Sequence, residues 1–268
     1  MHGKNAGIDN KKQPESICFW CGTRLFRHDS TIEIVILSQL NRYFVEKQGK
    51  RYLYSWFRTP HPAVISAPED WAKQDVPIVI NPELCKDCLF TVNQLLSLSD
   101  FYSGLLHRGC GVLHSSYVAV GDRAILFAGF SGQGKSTQAE LWRQYRGAEI
   151  INGDRALIFR RKGSWYAGGL SVCGSSQICV NRTVKIAALI LLEKSKKNVV
   201  CPVAAAEGYS AVMTGIAFHR WSSSEMLLVD RLVMDIISEV PMYRLYNRAD
   251  EESVEVLEKE IGGTLYDI

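Results

Sequence analysis

The C-terminal two thirds of the chain alternates short unbroken apolar runs with stretches of helical apolar spacing. Arg123-Ala-Ile-Leu-Phe-Ala128 is uniformly apolar after its first residue and predicts a buried strand. Lys135 to Arg146 carries Ala139, Trp142 and Tyr145 at helical spacing, with Gly147 placed to end the helix. Further strands are predicted over His114–Val120, Glu149–Ile151 and Ile186–Leu192. Helices are predicted around 205–219, 224–239 and from Asp250 to Ile261. The N-terminal third reads differently. Residues 1–14 are polar and predict a disordered tail. Arg42–Glu46 and Arg51–Trp56 predict a hairpin turning at Lys47–Lys50, and 86–106 predicts a helix with Leu89, Val92, Leu95, Leu96 and Leu98 on one face. Gly109-Cys110-Gly111 suggests a seam, giving a small α+β domain over 15–106 and an α/β domain over 107–268.

Between the first predicted strand–helix pair of the larger domain lies Gly129-Phe130-Ser131-Gly132-Gln133-Gly134-Lys135-Ser136-Thr137, which fits G-x-x-x-x-G-K-[ST]. A loop that wraps a polyphosphate must aim successive backbone N–H groups inward, and glycines permit that shape and the close approach. Gly129, Ser131, Gly132, Gln133 and Gly134 would line it. Lys135 would reach the β- and γ-phosphates, and Ser136 would ligate Mg²⁺, with Thr137 opening the helix whose dipole favours the anion. Strand, glycine loop and helix together are the setting this motif needs, so the expected ligand is ATP. The Mg²⁺ requires a second protein anchor, and Asp154, at the end of the Glu149–Ile151 strand, is the acidic residue placed for it. The bland alternative for Asp154 is a hairpin-turn aspartate.

Two C-x-x-C pairs, Cys18/Cys21 and Cys85/Cys88, supply four thiolates, the complement of a closed structural Zn²⁺ site. Cys-x-x-Cys-Gly at 18–22 has the spelling of a zinc knuckle. Knuckle, hairpin and a helix bearing the second pair resemble a treble-clef zinc finger. Redox chemistry at a C-x-x-C pair and four unrelated core cysteines are the competing readings. Cys110, Cys173, Cys179 and Cys201 show no metal spacing.

Composition narrows the setting. The chain of 268 residues is 47% hydrophobic and 22% charged, with a formal net charge of +3, so no concentrated basic character argues for nucleic acid. No apolar run is long enough to span a bilayer, and the polar N-terminus lacks the apolar centre of a signal peptide. Eight cysteines without a secretory signal favour metal or buried thiols over disulfides. A cytoplasmic protein is expected, without a membrane partner, and a homo-oligomer is compatible with the composition.

Residues 107–268 resemble the HPr kinase/phosphorylase catalytic domain family, which shares its phosphate loop and fold with the ATP-dependent phosphoenolpyruvate carboxykinases. The resemblance rests on Leu113-His114, the loop at 129–137, Arg146-Gly147 and Asp154-Arg155. It continues more loosely through Gly174-Ser175-Ser176, Ile186–Leu192 and Val240–Tyr246. Within that family the look is nearest to SynC-type peptide-maturation proteins. The resemblance implies a P-loop core of mixed sheet plus helices, preceded by the zinc-binding domain. It also places His114 near the transferred phosphate. The family has a paired Asp-Asp where this chain has Gly153-Asp154, which leaves His114 as the candidate base beside Lys135 and Asp154. The implied activity is ATP-dependent transfer of the γ-phosphoryl group to a hydroxyl, such as a serine, of a peptide or protein acceptor. A nucleotide-binding regulatory module, with a zinc domain that recruits a partner, is the alternative, and a small-molecule kinase a further one.

Overall fold

The computed structural model describes strands within residues 34–80 and residues 101–266, apart from Cys173 and Trp221. The chain divides into two compact units, Met1–Asp87 and Cys88–Ile268. In the first unit, β1 (Ile34–Leu40), β2 (Tyr43–Gln48), β3 (Arg51–Trp56), β4 (Ala63–Pro68) and β5 (Val79–Ile80) form an antiparallel sheet in sequence order. The expected hairpin is there as β2–β3, pairing Tyr43 with Trp56 and Gln48 with Arg51. It belongs to a five-stranded meander rather than standing by itself. Cys18, Cys21, Cys85 and Cys88 lie outside the described residues, and the treble-clef expectation with them.

Among the described residues of the second unit, the first elements are α1 (Phe101–Leu106) and the long strand β6 (Cys110–Val120). Gly121 carries the chain through a tight turn at φ 55° into β7 (Arg123–Ala128), followed by α2 (Lys135–Arg146), β8 (Glu149–Asn152), β9 (Arg155–Arg161) and β10 (Ser164–Gly168). A short 3-10 turn at Gly174–Ser176 precedes β11 (Thr183–Lys194) and β12 (Val199–Pro202). The chain ends with α3 (Ala205–Gly215), α4 (Ser223–Glu239), β13 (Met242–Asn247) and α5 (Glu251–Leu265). None of the helices in the described residues is long and apolar enough to cross a membrane.

The sheet is mixed. Its order is β10-β9-β6-β7-β11-β13-β12, and β10 also pairs with the start of β11, so five strands close on themselves. At its centre β7, β11 and β13 are parallel. Such strands are covered on both faces, which is why Arg123–Ala128 and Ile186–Leu192 read as unbroken apolar runs instead of alternating ones. Alternate residues nevertheless go to opposite layers. Leu126, Leu189 and Leu191 join Val212, Val229, Leu232 and Ile236 from α3 and α4. Ile125, Phe127 and Ile190 join Ala139 and Trp142 of α2 and Val254, Leu257 and Ile261 of α5. Each fully buried aliphatic side chain of these layers contributes about 1.5–3 kcal/mol.

Local signals explain the helix limits. Gly147, left-handed at φ 62°, stops α2 by donating its N–H to Arg143 O, while Ala148 N–H reaches Trp142 O. Ser222 caps α4 by accepting the Glu225 N–H, and Asp250 caps α5 by accepting the Ser253 N–H.

Candidate functional site

Register alone assembles the site. Ser115 of β6 lies opposite Ala128, the last residue of β7, so His114 falls beside Gly129 at the carboxyl end of β7. On its other side β6 pairs with both β8 and β9: Tyr117 faces Asn152, and His114 faces Arg155. β8 and β9 therefore run in line along one edge of β6, interrupted only by Gly153-Asp154. Asp154 sits at a break within a strand path and not in a hairpin turn. The glycine loop, His114 and Asp154 converge at the carboxyl end of β7.

The loop has the shape its glycines suggested. Gly129, Gly132 and Gly134 have φ of 148°, 83° and 98°, values that residues with a Cβ rarely adopt. Gln133 Oε1 accepts the Phe130 N–H at 2.8 Å and braces the loop from inside. Lys135 is 8% exposed. Its ammonium donates to Gly129 O at 2.9 Å and Phe130 O at 3.3 Å. Burial lowers its pKa from the ordinary value, and Asp154 acts against that. Among the described residues no carboxylate bonds this buried ammonium; its partners are carbonyls of its own loop.

A cavity of about 300 Å³ opens in front of the loop, lined by His114, Ser131, Gly132, Gly134, Lys135, Ser136, Thr137, Gly153 and Asp154. All the predicted nucleotide, Mg²⁺ and catalytic residues except Gly129 and Gln133 thus share one wall. Those two border a second cavity of about 340 Å³, which also reaches His114 and includes Phe130, Leu191, Thr214 and Arg244. His114 stands between the two spaces.

His114 Nδ1 lies 3.4 Å from Asp154 Oδ1, and Arg155 Nε lies 3.3 Å from Asp154 Oδ2. Burial lowers the His114 pKa from 6.5, Lys135 lowers it further, and Asp154 offsets part of this. The imidazole is therefore neutral at pH 7 and able to accept a proton. For a divalent cation the cavity offers the Ser136 hydroxyl and the Asp154 carboxylate, an all-oxygen set that suits Mg²⁺, which keeps several waters of its own. The residues present fit that ion. No group of three or more His, Cys, Asp or Glu among the described residues forms a separate metal site.

Among Arg155, Arg220, Arg231 and Arg244, Arg155 adjoins the site. Arg244 is held by Glu193 at 2.6 Å and by Glu207. Arg220 lies over the Phe218 ring, and Arg231 is exposed on α4. Sequence reasoning missed Asn152. This fully buried amide accepts the N–H groups of Asp154 and Arg155, both at 2.9 Å, and donates to Leu170 O at 3.0 Å and Val172 O at 2.7 Å. The Asn152-Gly153 dipeptide was the available signal, since it marks a chain break stabilised by an Asx bond.

No family model and no curated protein matches the chain. Among solved structures it is similar to the HPr(Ser) kinase/phosphatase from Coxiella burnetii, at 10% identity and a TM-score of 0.32, over 56% of this chain and 95% of that one. A likeness at that level leaves the functional reading to the geometry.

Proposed function

We propose that the chain is an ATP-dependent phosphotransferase that moves a γ-phosphoryl group to a hydroxyl of a peptide or protein. The observation that carries this is Lys135, buried at the mouth of a left-handed glycine loop and facing a cavity shared with Ser136, Asp154 and His114. The N–H groups of the loop and Lys135 bind and orient the polyphosphate. Ser136 and Asp154 would hold Mg²⁺, which would supply neutralisation of charge on the phosphate oxygens. Asp154, next to Nδ1, orients His114 so that its other nitrogen accepts the acceptor's hydroxyl proton. As that oxygen forms its bond to the γ-phosphorus, the bond to the β-phosphate oxygen breaks and ADP leaves.

The acceptor enters through the second cavity. That space borders the Gly129–Phe130 end of the loop and His114, away from Ser136 and Thr137, and Phe130 is 72% exposed at its rim. A peptide-maturation role, SynC-type in look, fits such an acceptor. The N-terminal C-x-x-C pairs would hold structural Zn²⁺; purified protein should then contain near-stoichiometric zinc, lost in a Cys85→Ser/Cys88→Ser variant.

One observation favours the regulatory-module alternative: a single carboxylate, Asp154, lines the phosphate cavity among the described residues. Incubation with labelled ATP and serine-containing peptides, with Lys135→Ala as control, separates the two. Phosphopeptide formed by the wild type and lost in the control supports transfer. Tight nucleotide binding with only slow ADP release supports the module, and equal product from both proteins rejects the kinase reading.

A further inference from the structure

Gly153 is glycine for a reason visible across the chain. A Cβ there would fall 2.2 Å from Ser176 Oγ and 2.7 Å from Ser176 Cβ, so the place of a side chain at 153 is already occupied. Two residues before Ser176, Gly174 packs closely on Asp154, the neighbour of Gly153. A Cβ on Gly174 would lie 2.8 Å from Asp154 Cβ and 2.9 Å from Cγ, and its own φ is +54°. The 174–176 turn thus covers Gly153 and walls one side of the Asp154 carboxyl. Asn152 anchors both partners of this contact. Its carbonyl oxygen takes the N–H groups of Asp154 and Arg155, and its amide nitrogen holds the Leu170 and Val172 carbonyls that lead into the turn. With two donor bonds and two accepted ones, the buried amide is saturated. Ser116 Oγ, donating to Gly153 O at 2.9 Å, and Ser115 N–H, donating to Asp154 O at 3.0 Å, pin the same break to β6.

Resting on the phosphate-loop reading above, we propose that Asn152 is a positioning residue that holds Asp154 as the one carboxylate, among the described residues, at the cation-binding end of this cavity, and that Ser176 takes the space a side chain at 153 would need. A metal-anchoring carboxylate must keep one orientation, and the groups that fix it act through it, not on the ion. Asn152 sets the backbone from which Asp154 projects. The 174–176 turn limits where its carboxyl can swing, and Ser176 excludes a second carboxylate at 153. Cation binding here consequently leans on the nucleotide's own phosphates.

The test is calorimetric ATP binding by the full chain, in Mg²⁺ and in EDTA, with protein phosphorylation playing no part in the readout. Gly153→Ala should force the turn away and weaken Mg²⁺-dependent ATP binding about tenfold or more while leaving binding in EDTA unchanged. Adding Ser176→Gly to that variant should restore it. Asn152→Asp keeps the acceptor but presents oxygens to the Leu170 and Val172 carbonyls, and should lose the same increment. It decides the matter should Gly153→Ala fail to fold. The proposal is overturned by a Gly153→Ala chain that keeps its Mg²⁺ increment, by a loss that Ser176→Gly does not relieve, or by an unaffected Asn152→Asp. ATP bound equally by wild type and Lys135→Ala overturns the phosphate-loop reading itself; a Lys135 effect with none at 152 or 153 removes only the present proposal.

Discussion

Of the polar clusters that interrupt the apolar interior of the second unit, two are finished in opposite ways. Where α1, the loop before α4 and α4 meet, Ser103, His219 and Glu225 bond one another. Ser103 Oγ donates to Glu225 Oε1 at 2.9 Å, the His219 N–H reaches Oε2 at 2.8 Å, and His219 Nδ1 lies 2.9 Å from Ser103 Oγ. Ser103 and Glu225 are 0% and 4% exposed. At the phosphate loop, Lys135 is comparably buried, yet Ser136 and Asp154 face an open cavity and the loop backbone is left-handed at Gly132 and Gly134. The first cluster satisfies its charge inside the protein and closes a helix start. The second keeps donors and acceptors turned toward space a ligand can fill. Buried charge by itself therefore does not mark function; the direction in which its remaining bonds point does.

The comparison is most sharply tested by removing the cation. Lys135→Ala should lower phosphoryl transfer about 10³-fold, equivalent to about 4 kcal/mol, because it deletes a donor aimed at developing charge. Thermal unfolding without nucleotide should be unchanged or slightly raised, since a buried ammonium is lost. A marked drop in melting temperature together with retained transfer would make the loop a structural cluster like the other.

Glu225→Ala is the reciprocal variant. It strips His219 and Ser103 of their shared acceptor and removes the carboxylate at the start of α4, at a cost of about 3 kcal/mol in denaturant unfolding. ATP affinity of the folded fraction should stay at the wild-type value. A changed affinity would mean the two clusters are coupled. His114→Gln comes next, with about a 10²-fold fall in transfer and unaltered ATP binding, measured by single-turnover kinetics.

How much of this was legible beforehand follows from the range over which each signal acts. Arg123–Ala128 and Lys135–Arg146 were readable to the residue because periodicity, glycine placement and motif chemistry are all local there. The same local signals named Lys135, Ser136 and Asp154. What was not legible depended on registry. That β8 and β9 lie in line along β6, putting Asp154 at a break instead of a hairpin, follows from pairings dozens of residues apart. Likewise Gly153 looked like a lost carboxylate. Only the approach of Ser176 from 23 positions later (176 − 153) shows that no side chain fits there. β6 was also read short, at His114–Val120 against Cys110–Val120, because Gly109–Gly111 resembles a linker until β9 pairs with it.

The gentlest perturbation is pH, and it separates the clusters by window. Burial alone would raise the Glu225 carboxyl, but bonds from His219 and Ser103 outweigh it and hold the pKa below the ordinary 4.5. The unfolded chain then binds the proton more readily, so this contribution is complete above about 4.5 and is lost as pH falls through the folded value. His114 is likewise lowered from 6.5, chiefly by burial, so its contribution is complete above that value and fades as pH falls through its own, higher window. At 39% exposure the His114 effect is the smaller of the two. Chemical denaturation from pH 7 to 3 should show a shallow loss beginning near 6.5, absent in His114→Gln, and a steeper one below 4.5, absent in Glu225→Gln. Saturating ATP should alter the first and leave the second in place, because only the open cluster has bonds to give to a ligand. Equal displacement of both windows by ATP would erase the distinction between a site and a lock.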